Sequence, residues 1–256
     1  MMQTGKNILV TRPDHQSKNL CKLIEQQGWH AIRFPVIDIQ AKPLSTKDIQ
    51  RIQNIEQYRK VIFVSVNAVN FALQLINGKI DRLQKLTCIA VGKASYHALS
   101  ASGLSHVLMP EQGFNSEAIL AMPEMQVLSG QSCLIIRGEG GRELLADSLR
   151  ERGARVDYLE VYKRVLPITD NKIIDAYLLQ KTLSAILIYS GDALKNLVKV
   201  LVKEDFNKHL LNIPLIVISQ RVQIMAKTIG FKNIIIADEA SDAAMINALL
   251  NGEECG

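Results

Sequence analysis

The fold is decided by two matching stretches, ILVTR at residues 8–12 and CLIIR at residues 133–137, which stand 125 residues apart. VIFVS at residues 61–65 and ILIYS at residues 186–190 repeat that offset. Apolar runs alone are common in α/β proteins, but they do not fix the positions of the Arg and Ser that close these stretches. The matches therefore predict an internal duplication of the chain.

The third pair of runs is CIAVG at residues 88–92 and LIVIS at residues 215–219, at an offset of 127. Between the runs, apolar residues recur at three- and four-residue spacing, which is typical of helices that bury one face. Short runs of Val, Ile and Leu alternating with such helices indicate parallel strands buried on both faces. We therefore predict an α/β fold of two similar open parallel-sheet, flavodoxin-like domains, and the repeat alone divides the chain near residue 127.

The composition excludes several classes of protein. The 256 residues carry a formal charge of +5, and 48% of them are hydrophobic, as in ordinary globular proteins. No apolar run reaches the roughly 20 residues of a membrane span, and no signal peptide is visible, so we expect a cytoplasmic protein without membrane contact. Basic residues never run beyond two and no aromatic platform accompanies them, so we expect no nucleic-acid partner.

The cysteines and histidines do not indicate a metal site. Cys21, Cys88, Cys133 and Cys255 are scattered without a Cys-x-x-Cys motif, and the five histidines lack the spacing of metal ligands. We expect reduced thiols and no bound metal.

Hydroxylic, amide, cationic and glycine residues follow the predicted strands. In parallel sheets, ligands bind beyond the carboxyl ends of the strands, where helix N-termini favour anions. Each Ser or Asn could instead cap a helix, but six equivalent strand ends together favour a ligand cleft between the two domains. The candidate ligand residues are Thr11, Arg12, Ser65, Asn67, Gly92, Lys93, Arg137, Gly138, Ser190 and Ser219.

A glycine-rich segment, RGEGGR at residues 137–142, follows one predicted strand and opens a helix. It resembles a dinucleotide-binding fingerprint but has Glu143 in place of the last glycine, and no acidic ribose ligand follows at the right distance. The segment therefore favours an anion-binding nest of backbone N–H groups flanked by Arg137 and Arg142, suited to carboxylates as much as to phosphates.

EVYKRV at residues 160–165 is the other informative stretch. Tyr162 in it is either a half-buried residue of an amphipathic strand or a phenol at a domain junction that hydrogen-bonds a leaving hydroxyl or donates a proton to it. Paired carboxylates, a Ser/His/Asp set and a Cys/His pair are not apparent. An enzyme with this sequence would depend on positioning more than on a strong nucleophile.

Taken together, these pieces resemble the uroporphyrinogen-III synthase family, in its gammaproteobacterial form. The resemblance runs along the chain in order and spacing, from LVTRP at residues 9–13 through FVSVNAV at 63–69 and VYKR at 161–164 to YSG at 189–191. One departure concerns the loop near Ile218: the family usually has Gly and, three residues later, Thr, where this chain has Ser219 and Val222.

The resemblance implies a different division of the chain from the one that the repeat alone indicates. One α/β domain would comprise residues 1–36 plus 168–256, and the other residues 42–162. Two extended connectors at about 37–41 and 163–167 would join them, and two thin connectors predict a hinge.

The resemblance also implies the reaction: hydroxymethylbilane, a linear tetrapyrrole with eight carboxylates, loses water and closes to uroporphyrinogen III with inversion of its last pyrrole ring. Unaided closure gives the uninverted type I isomer, so the protein selects one geometry of attack. No cofactor is implied. Tyr162 would be the acid or hydrogen-bonding residue at the leaving hydroxyl, and the strand-end residues above with Arg142 would bind carboxylates, many through the main chain.

Two alternatives remain open at this point. A non-catalytic hinged protein that binds a polyanionic small molecule would have the same architecture, and a nucleotide- or nucleic-acid-binding module is the second rival. No coiled-coil heptad is visible, and we expect a monomer.

Overall fold

The computed structural model describes residues 5–168, 172–201 and 207–252. The chain divides into two compact units, one formed by residues 1–38 with 165–256 and the other by residues 39–164. Each unit contains one open sheet flanked by helices. The predicted α/β class with two similar parallel sheets is therefore confirmed.

Strands and helices alternate along the described residues. The strands are β1 (Asn7–Val10), β2 (His30–Arg33), β3 (Asp38–Ala41), β4 (Lys60–Phe63), β5 (Thr87–Ala90), β6 (Val107–Leu108), β7 (Ser132–Gly138), β8 (Arg155–Val165), β9 (Leu183–Ile188), β10 (Leu215–Val217) and β11 (Ile234–Ile236). The helices are α1 (Asp14–Gln26), α2 (Thr46–Gln53), α3 (Val66–Leu75), α4 (Lys93–Ala101), α5 (Ser116–Ala121), α6 (Leu144–Glu151), α7 (Lys172–Leu179), α8 (Gly191–Leu201), α9 (Asn207–Leu210), α10 (Gln220–Ile229) and α11 (Asp242–Asn251).

The two sheets have the same strand order and the same register. The first runs β11-β10-β9-β1-β2 and the second β6-β5-β4-β7-β8, with β3 added beyond β8. Leu9 pairs with Ile186 in the first sheet, and Leu134 pairs with Val61 in the second. Leu134 lies 125 residues after Leu9, and Ile186 lies 125 residues after Val61, so the two pairs are equivalent in the repeat. The pairing of β5 with β6 has the same register as that of β10 with β11, at an offset of 127 residues. The internal repeat is therefore present in the structure.

Each sheet combines strands from both repeats. β1 and β2 of the first repeat pair with β9 to β11 of the second, whereas β7 and β8 pair with β4 to β6. A cut near residue 127, as the repeat alone indicates, is wrong, because residue 127 lies within the unit of residues 39–164. The halves of the duplication have exchanged their first two strands.

The strands are apolar because both sheet faces are covered. In the second unit, Val61 and Phe63 face one core together with Leu134, while Ile62 and Ile135 face another core on the opposite side. Burial of each such side chain contributes about 1.5–3 kcal/mol. The strand ends are consequently held in fixed positions, and so are the polar residues that directly follow them.

The thiols belong to these cores. Cys21, Cys88 and Cys133 are buried and free, and burial raises the pKa of the Cys88 thiol to about 12. Cys255 lies outside the described residues. In the part of the chain that the structure describes, no group of His, Cys, Asp and Glu is arranged to hold a metal ion. In the same part, every helix is too short or too polar to cross a membrane.

Candidate functional site

A β-bulge at the carboxyl end of β8 directs Tyr162 toward a core. Arg137 pairs with Glu160, but the next residue of β7, Gly138, pairs with Tyr162, so Val161 is an additional residue in β8. A bulge lets two successive side chains share one side of a sheet. Val161 and Tyr162 accordingly both pack into the core that also contains Leu159.

Tyr162 is 1% exposed, which contradicts the half-buried position considered from the sequence. Its ring stacks on Phe71 with a centroid distance of 5.9 Å and covers Gly138, where an added Cβ would lie 2.5 Å from the ring atom Cε2. Only a glycine fits beneath the ring, because real Cβ atoms do not approach carbon so closely. Gly138 therefore leaves the space that the phenol ring of Tyr162 occupies.

The phenol oxygen of Tyr162 has two polar partners. Ser65 Oγ lies 3.1 Å from it, and Arg164 donates a hydrogen bond to it from Nη2 at 3.3 Å. Ser65 is also the N-cap of α3 and accepts a hydrogen bond from the backbone N–H of Ala68 at 3.1 Å. The site thus joins the ends of β4 and β8 through two hydroxyl groups and one guanidinium.

Arg137 lies at the end of β7, where its guanidinium is held by three neighbours. It covers the ring of Tyr158 at 3.6 Å and forms ion pairs with Glu143 at 3.1 Å and Glu160 at 3.2 Å. Its Nε is buried and has no hydrogen-bond partner among the residues that the structure describes. Two carboxylates already neutralise the residue that the sequence nominates as an anion ligand.

The acidic partners of Arg137 are held ionised. A hydrogen bond from Tyr158 is the main cause that lowers the pKa of Glu143, and Arg137 adds to it. Burial opposes ionisation of Glu160, but hydrogen bonds from Lys42 and from the N–H of Gly140 outweigh it and lower its pKa. Burial and the Glu143 contact raise the pKa of Tyr158 to about 12. Both glutamates therefore carry a negative charge beside the Arg137 guanidinium, while the phenol of Tyr158 stays neutral.

A cavity of about 220 Å³ lies beside these residues, lined by Arg137, Gly138, Arg142, Tyr162 and Arg164 among others. Gly140 and Gly141 have positive φ values of 70° and 121°, as in the predicted backbone nest. The N–H of Gly140, however, donates to Glu160 at 3.2 Å. Arg142 is exposed and lies 3.8 Å from Glu117, so its guanidinium remains accessible.

The other candidates in this unit follow β4 and β5. Asn67 stands in the first turn of α3. Gly92 is the N-cap of α4, and Lys93 begins that helix with its Nζ 5.7 Å from the ring centroid of Phe114. Backbone N–H groups at both helix starts suit an anion.

In the unit of residues 1–38 and 165–256, the end of β1 carries Thr11 and Arg12. The buried Thr11 hydroxyl donates to the carbonyl of Leu187 at 2.6 Å. Arg12 forms an ion pair of 2.6 Å with Asp242 and lies 4.4 Å from the ring centroid of Tyr189. Burial, followed by the charge of Asp242, raises the pKa of Tyr189. Arg12 is therefore held by one carboxylate and one tyrosine ring.

Ser190 and Ser219 cap helices in the same unit. Ser190 Oγ accepts the N–H of Ala193 at 3.0 Å, and Ser219 Oγ accepts the N–H of Val222 at 3.5 Å. The capping alternative considered from the sequence is thus correct for both side chains, and for Ser65 as well. A cap uses the acceptor side of the hydroxyl and leaves its hydrogen for another partner.

Sequence reasoning missed several residues of these clusters. Arg164 was detectable, because it stands two positions after Tyr162 on one strand and so shares its side of the sheet. Tyr158 and Glu160 have the same relation to each other. Asp242 and Tyr189 had no such signal, since only the folded unit brings them to Arg12.

The repeated sheets, with hydroxyl and guanidinium groups at their strand ends, define a duplicated α/β protein with polar strand-end sites. The sequence profile of the family described as Uroporphyrinogen-III synthase HemD matches residues 18–247. The uroporphyrinogen-III synthase of Salmonella typhimurium is 30% identical over 95% of this chain and 99% of its own length. That of Escherichia coli K12 is 29% identical with the same coverage.

A solved structure shares the fold. A mutant uroporphyrinogen III synthase from the extremely thermophilic bacterium Thermus thermophilus aligns with a TM-score of 0.66 at 17% identity, over 98% of this chain and all of the other. The chain belongs to the uroporphyrinogen-III synthase family. Its function and class are those of that family, a cyclising hydro-lyase of porphyrin and heme biosynthesis. The alternative of a non-catalytic binding protein receives no support from these relatives.

Proposed function

We propose that the substrate is hydroxymethylbilane and that the strand-end residues bind it. Tyr162 and Ser65 lie at the leaving hydroxyl of the substrate and assist its departure through hydrogen bonds. The observation that carries this proposal is the pair of hydroxyl groups, 3.1 Å apart, of which Tyr162 belongs to the lining of a cavity that also contains arginines. The reaction loses water and closes the macrocycle to uroporphyrinogen III with the last ring inverted. Neutral hydroxyls suit this step, because a cation close to the reacting carbon would repel the positive charge that develops there.

Tyr162 acts as the acid or hydrogen-bonding group at the leaving hydroxyl in this proposal. Its ring is fixed by Phe71 and Gly138, so the hydroxyl direction is set before the substrate binds. Such preorganisation selects one geometry of attack without a strong nucleophile. That selection is what separates type III from type I closure.

The eight carboxylates of the substrate require many N–H donors and several cations. Helix starts after β4, β5, β9 and β10 offer backbone N–H groups, and Arg142 and Lys93 are exposed cations. Arg12 and Arg137 would bind a carboxylate as members of ion pairs that already exist. The proposed ligands are Thr11, Arg12, Ser65, Asn67, Gly92, Lys93, Arg137, Gly138, Arg142, Ser190 and Ser219.

We also propose that the functional domains are residues 1–36 with 168–256 and residues 42–162, with connectors at 37–41 and 163–167 that allow hinge motion. Two thin connections between compact bodies permit such motion. The protein would act as a cytoplasmic monomer without a cofactor. Sedimentation of the purified chain tests the monomer, since a dimer would sediment near twice the mass of 28.5 kDa.

The test of the function is an isomer analysis. Purified protein is given fresh hydroxymethylbilane, the products are oxidised, and type I and type III uroporphyrins are separated by chromatography. Type III in excess supports the proposal. Type I alone, formed at the rate seen without protein, would leave a protein that merely binds a tetrapyrrole or another polyanion.

A further inference from the structure

Three groups form a continuous hydrogen-bonded row in the unit of residues 39–164. Arg164 Nη2 lies 3.3 Å from the phenol oxygen of Tyr162, which lies 3.1 Å from Ser65 Oγ. Ser65 Oγ receives the N–H of Ala68 at 3.1 Å. The row begins at an exposed arginine, passes a buried tyrosine and ends at a half-buried serine.

The chemistry of the ends determines the direction of the bond between the two hydroxyls. A guanidinium has donors only, so the phenol oxygen of Tyr162 must accept from Arg164. If Ser65 also donated to that oxygen, the phenol hydrogen would need another acceptor in a site where Tyr162 is 1% exposed. The contacts described for Tyr162 include no such acceptor, and an unpaired buried hydroxyl is costly. Tyr162 therefore donates to Ser65.

The same direction leaves one hydrogen for a ligand. Ser65 Oγ accepts from Ala68 and from Tyr162, which occupies both of its lone pairs. Its own hydrogen has no acceptor among the contacts described for it and can point to solvent, because the side chain is half-buried. Ser65 is the more exposed of the two hydroxyl-bearing residues, since it is half-buried whereas Tyr162 is 1% exposed.

We propose that Arg164 is a positioning residue that orients this row, so that Ser65, backed by Tyr162, presents the hydrogen-bond donor to the leaving hydroxyl of the substrate. This inference rests on the proposed function and deepens it: of the two roles proposed there for Tyr162, it selects the hydrogen-bonding one, exerted through Ser65, over direct donation of a proton by the phenol. A donor to the phenol oxygen makes the phenol hydrogen a stronger donor in turn, since consecutive hydrogen bonds polarise one another. Arg164 contacts Tyr162 and acts through it.

The alternative role for Arg164 is to bind a substrate carboxylate directly, because it also lines the cavity. The two roles differ in kinetics. A ligand for the ground-state substrate changes KM when it is removed, whereas a residue that acts through the donor changes kcat. They differ also in additivity, because residues of one hydrogen-bonded row are coupled and independent residues are not.

The experiment measures kcat, KM and the type III to type I ratio for Arg164→Ala, Arg164→Lys, Tyr162→Phe and the double variant Arg164→Ala with Tyr162→Phe. Arg164→Ala should lose about tenfold in kcat, as expected for one hydrogen bond to a charged group, with KM nearly unchanged. Arg164→Lys, which keeps a donor, should recover most of the loss. The double variant should be no slower than Tyr162→Phe alone.

Lys163→Ala is the matched control, because it removes the neighbouring positive charge, whose side chain has no described hydrogen bond to Tyr162. It should retain the wild-type kcat. The melting temperature of each variant separates unfolding from loss of orientation. A raised KM with unchanged kcat, unchanged kinetics in Arg164→Ala, or losses that multiply in the double variant would overturn the inference. Failure of the proposed function itself is distinct, since the wild-type protein would then form type I alone.

Discussion

Arg12 and Arg137 occupy equivalent positions of the repeat, 125 residues apart, yet their surroundings differ. Each guanidinium lies over a tyrosine ring, Arg12 over Tyr189 at 4.4 Å and Arg137 over Tyr158 at 3.6 Å. Arg12 pairs with one carboxylate and Arg137 with two. The supporting tyrosines come from opposite sides, since Tyr189 follows β9 whereas Tyr158 belongs to β8. Both copies of the repeat therefore have the arginine, but the tyrosine and the carboxylates that contact it come from different positions in each unit.

The residue after each arginine shows the larger divergence. Pro13 follows Arg12, whereas Gly138 follows Arg137 and carries the ring of Tyr162. β2 ends after four residues, but β8 continues for eleven and contains the bulge. At the repeat offset, Tyr162 corresponds to Ile37, a buried aliphatic residue. The two units therefore share their strand order and register, but only the unit of residues 39–164 has a phenol at this position.

The largest effect is expected from Gly138→Ala, which adds a methyl group where the ring of Tyr162 lies. The contact of 2.5 Å forces the ring to move, and such overpacking costs about 1–3 kcal/mol of unfolding free energy. Turnover should fall together with stability, because the phenol is displaced. Urea unfolding and the synthase assay measure the two effects.

Pro13→Ala is the control at the equivalent position of the other unit. It should cost only about 0.4–1 kcal/mol, because its main effect is to free the unfolded chain. Equal losses in the two variants would mean that the divergence between the strand ends has no energetic basis.

A second prediction compares the two arginines by substitution to methionine. Arg137→Met leaves Glu143 and Glu160 without their buried partner and should cost roughly 2 kcal/mol, below the value for a fully buried pair because both acids are partly exposed. Arg12→Met removes the partner of one carboxylate and should cost roughly half as much. Urea unfolding measures the free energy lost in each variant. A larger loss in Arg12→Met than in Arg137→Met would contradict the stronger pairing described for Arg137.

The smallest expected effect is on the pH dependence of stability. The pKa values of Glu143 and Glu160 are lowered in the folded protein, so their contribution is present above the ordinary glutamate pKa near 4.5 and is lost as the pH falls through the lowered values. The melting temperature should therefore decline more steeply below pH 4.5 in the wild type than in Glu143→Gln with Glu160→Gln.

Glu151→Gln serves as the control for that profile, since it removes an exposed carboxylate from the same unit. Its pH profile should match that of the wild type. Identical profiles for the double variant and the wild type would mean that the ion pairs around Arg137 do not contribute to folding.

The sequence was sufficient for the features that local pattern determines. The apolar runs located the strands, and the offsets of 125 and 127 that indicated the duplication recur in the register of the two sheets. The exchange of strands between repeats was not predictable from the duplication, because both arrangements bury the same residues. It followed only from the resemblance to a known family.

The site was less predictable, for physical reasons that particular residues illustrate. Tyr162 was nominated, but its burial depends on a bulge at Val161 that no sequence pattern announces. Asp242 lies 230 positions from Arg12 along the chain, and only the packing of α11 brings them together. Long-range ion pairs of this kind leave no local signature.

The most direct test of the account compares Tyr162→Phe with Tyr58→Phe in the isomer assay. Tyr58 is a buried tyrosine of the same unit whose hydroxyl bonds to Asp157 at 3.0 Å, so its substitution matches the loss of a buried hydroxyl away from the proposed site. Tyr162→Phe should lower kcat for type III formation about 100-fold, as for loss of a group that assists departure of the leaving hydroxyl, while Tyr58→Phe keeps the wild-type rate. Equal rates and equal type III yields from the two variants would contradict the assignment of the phenol to the reaction.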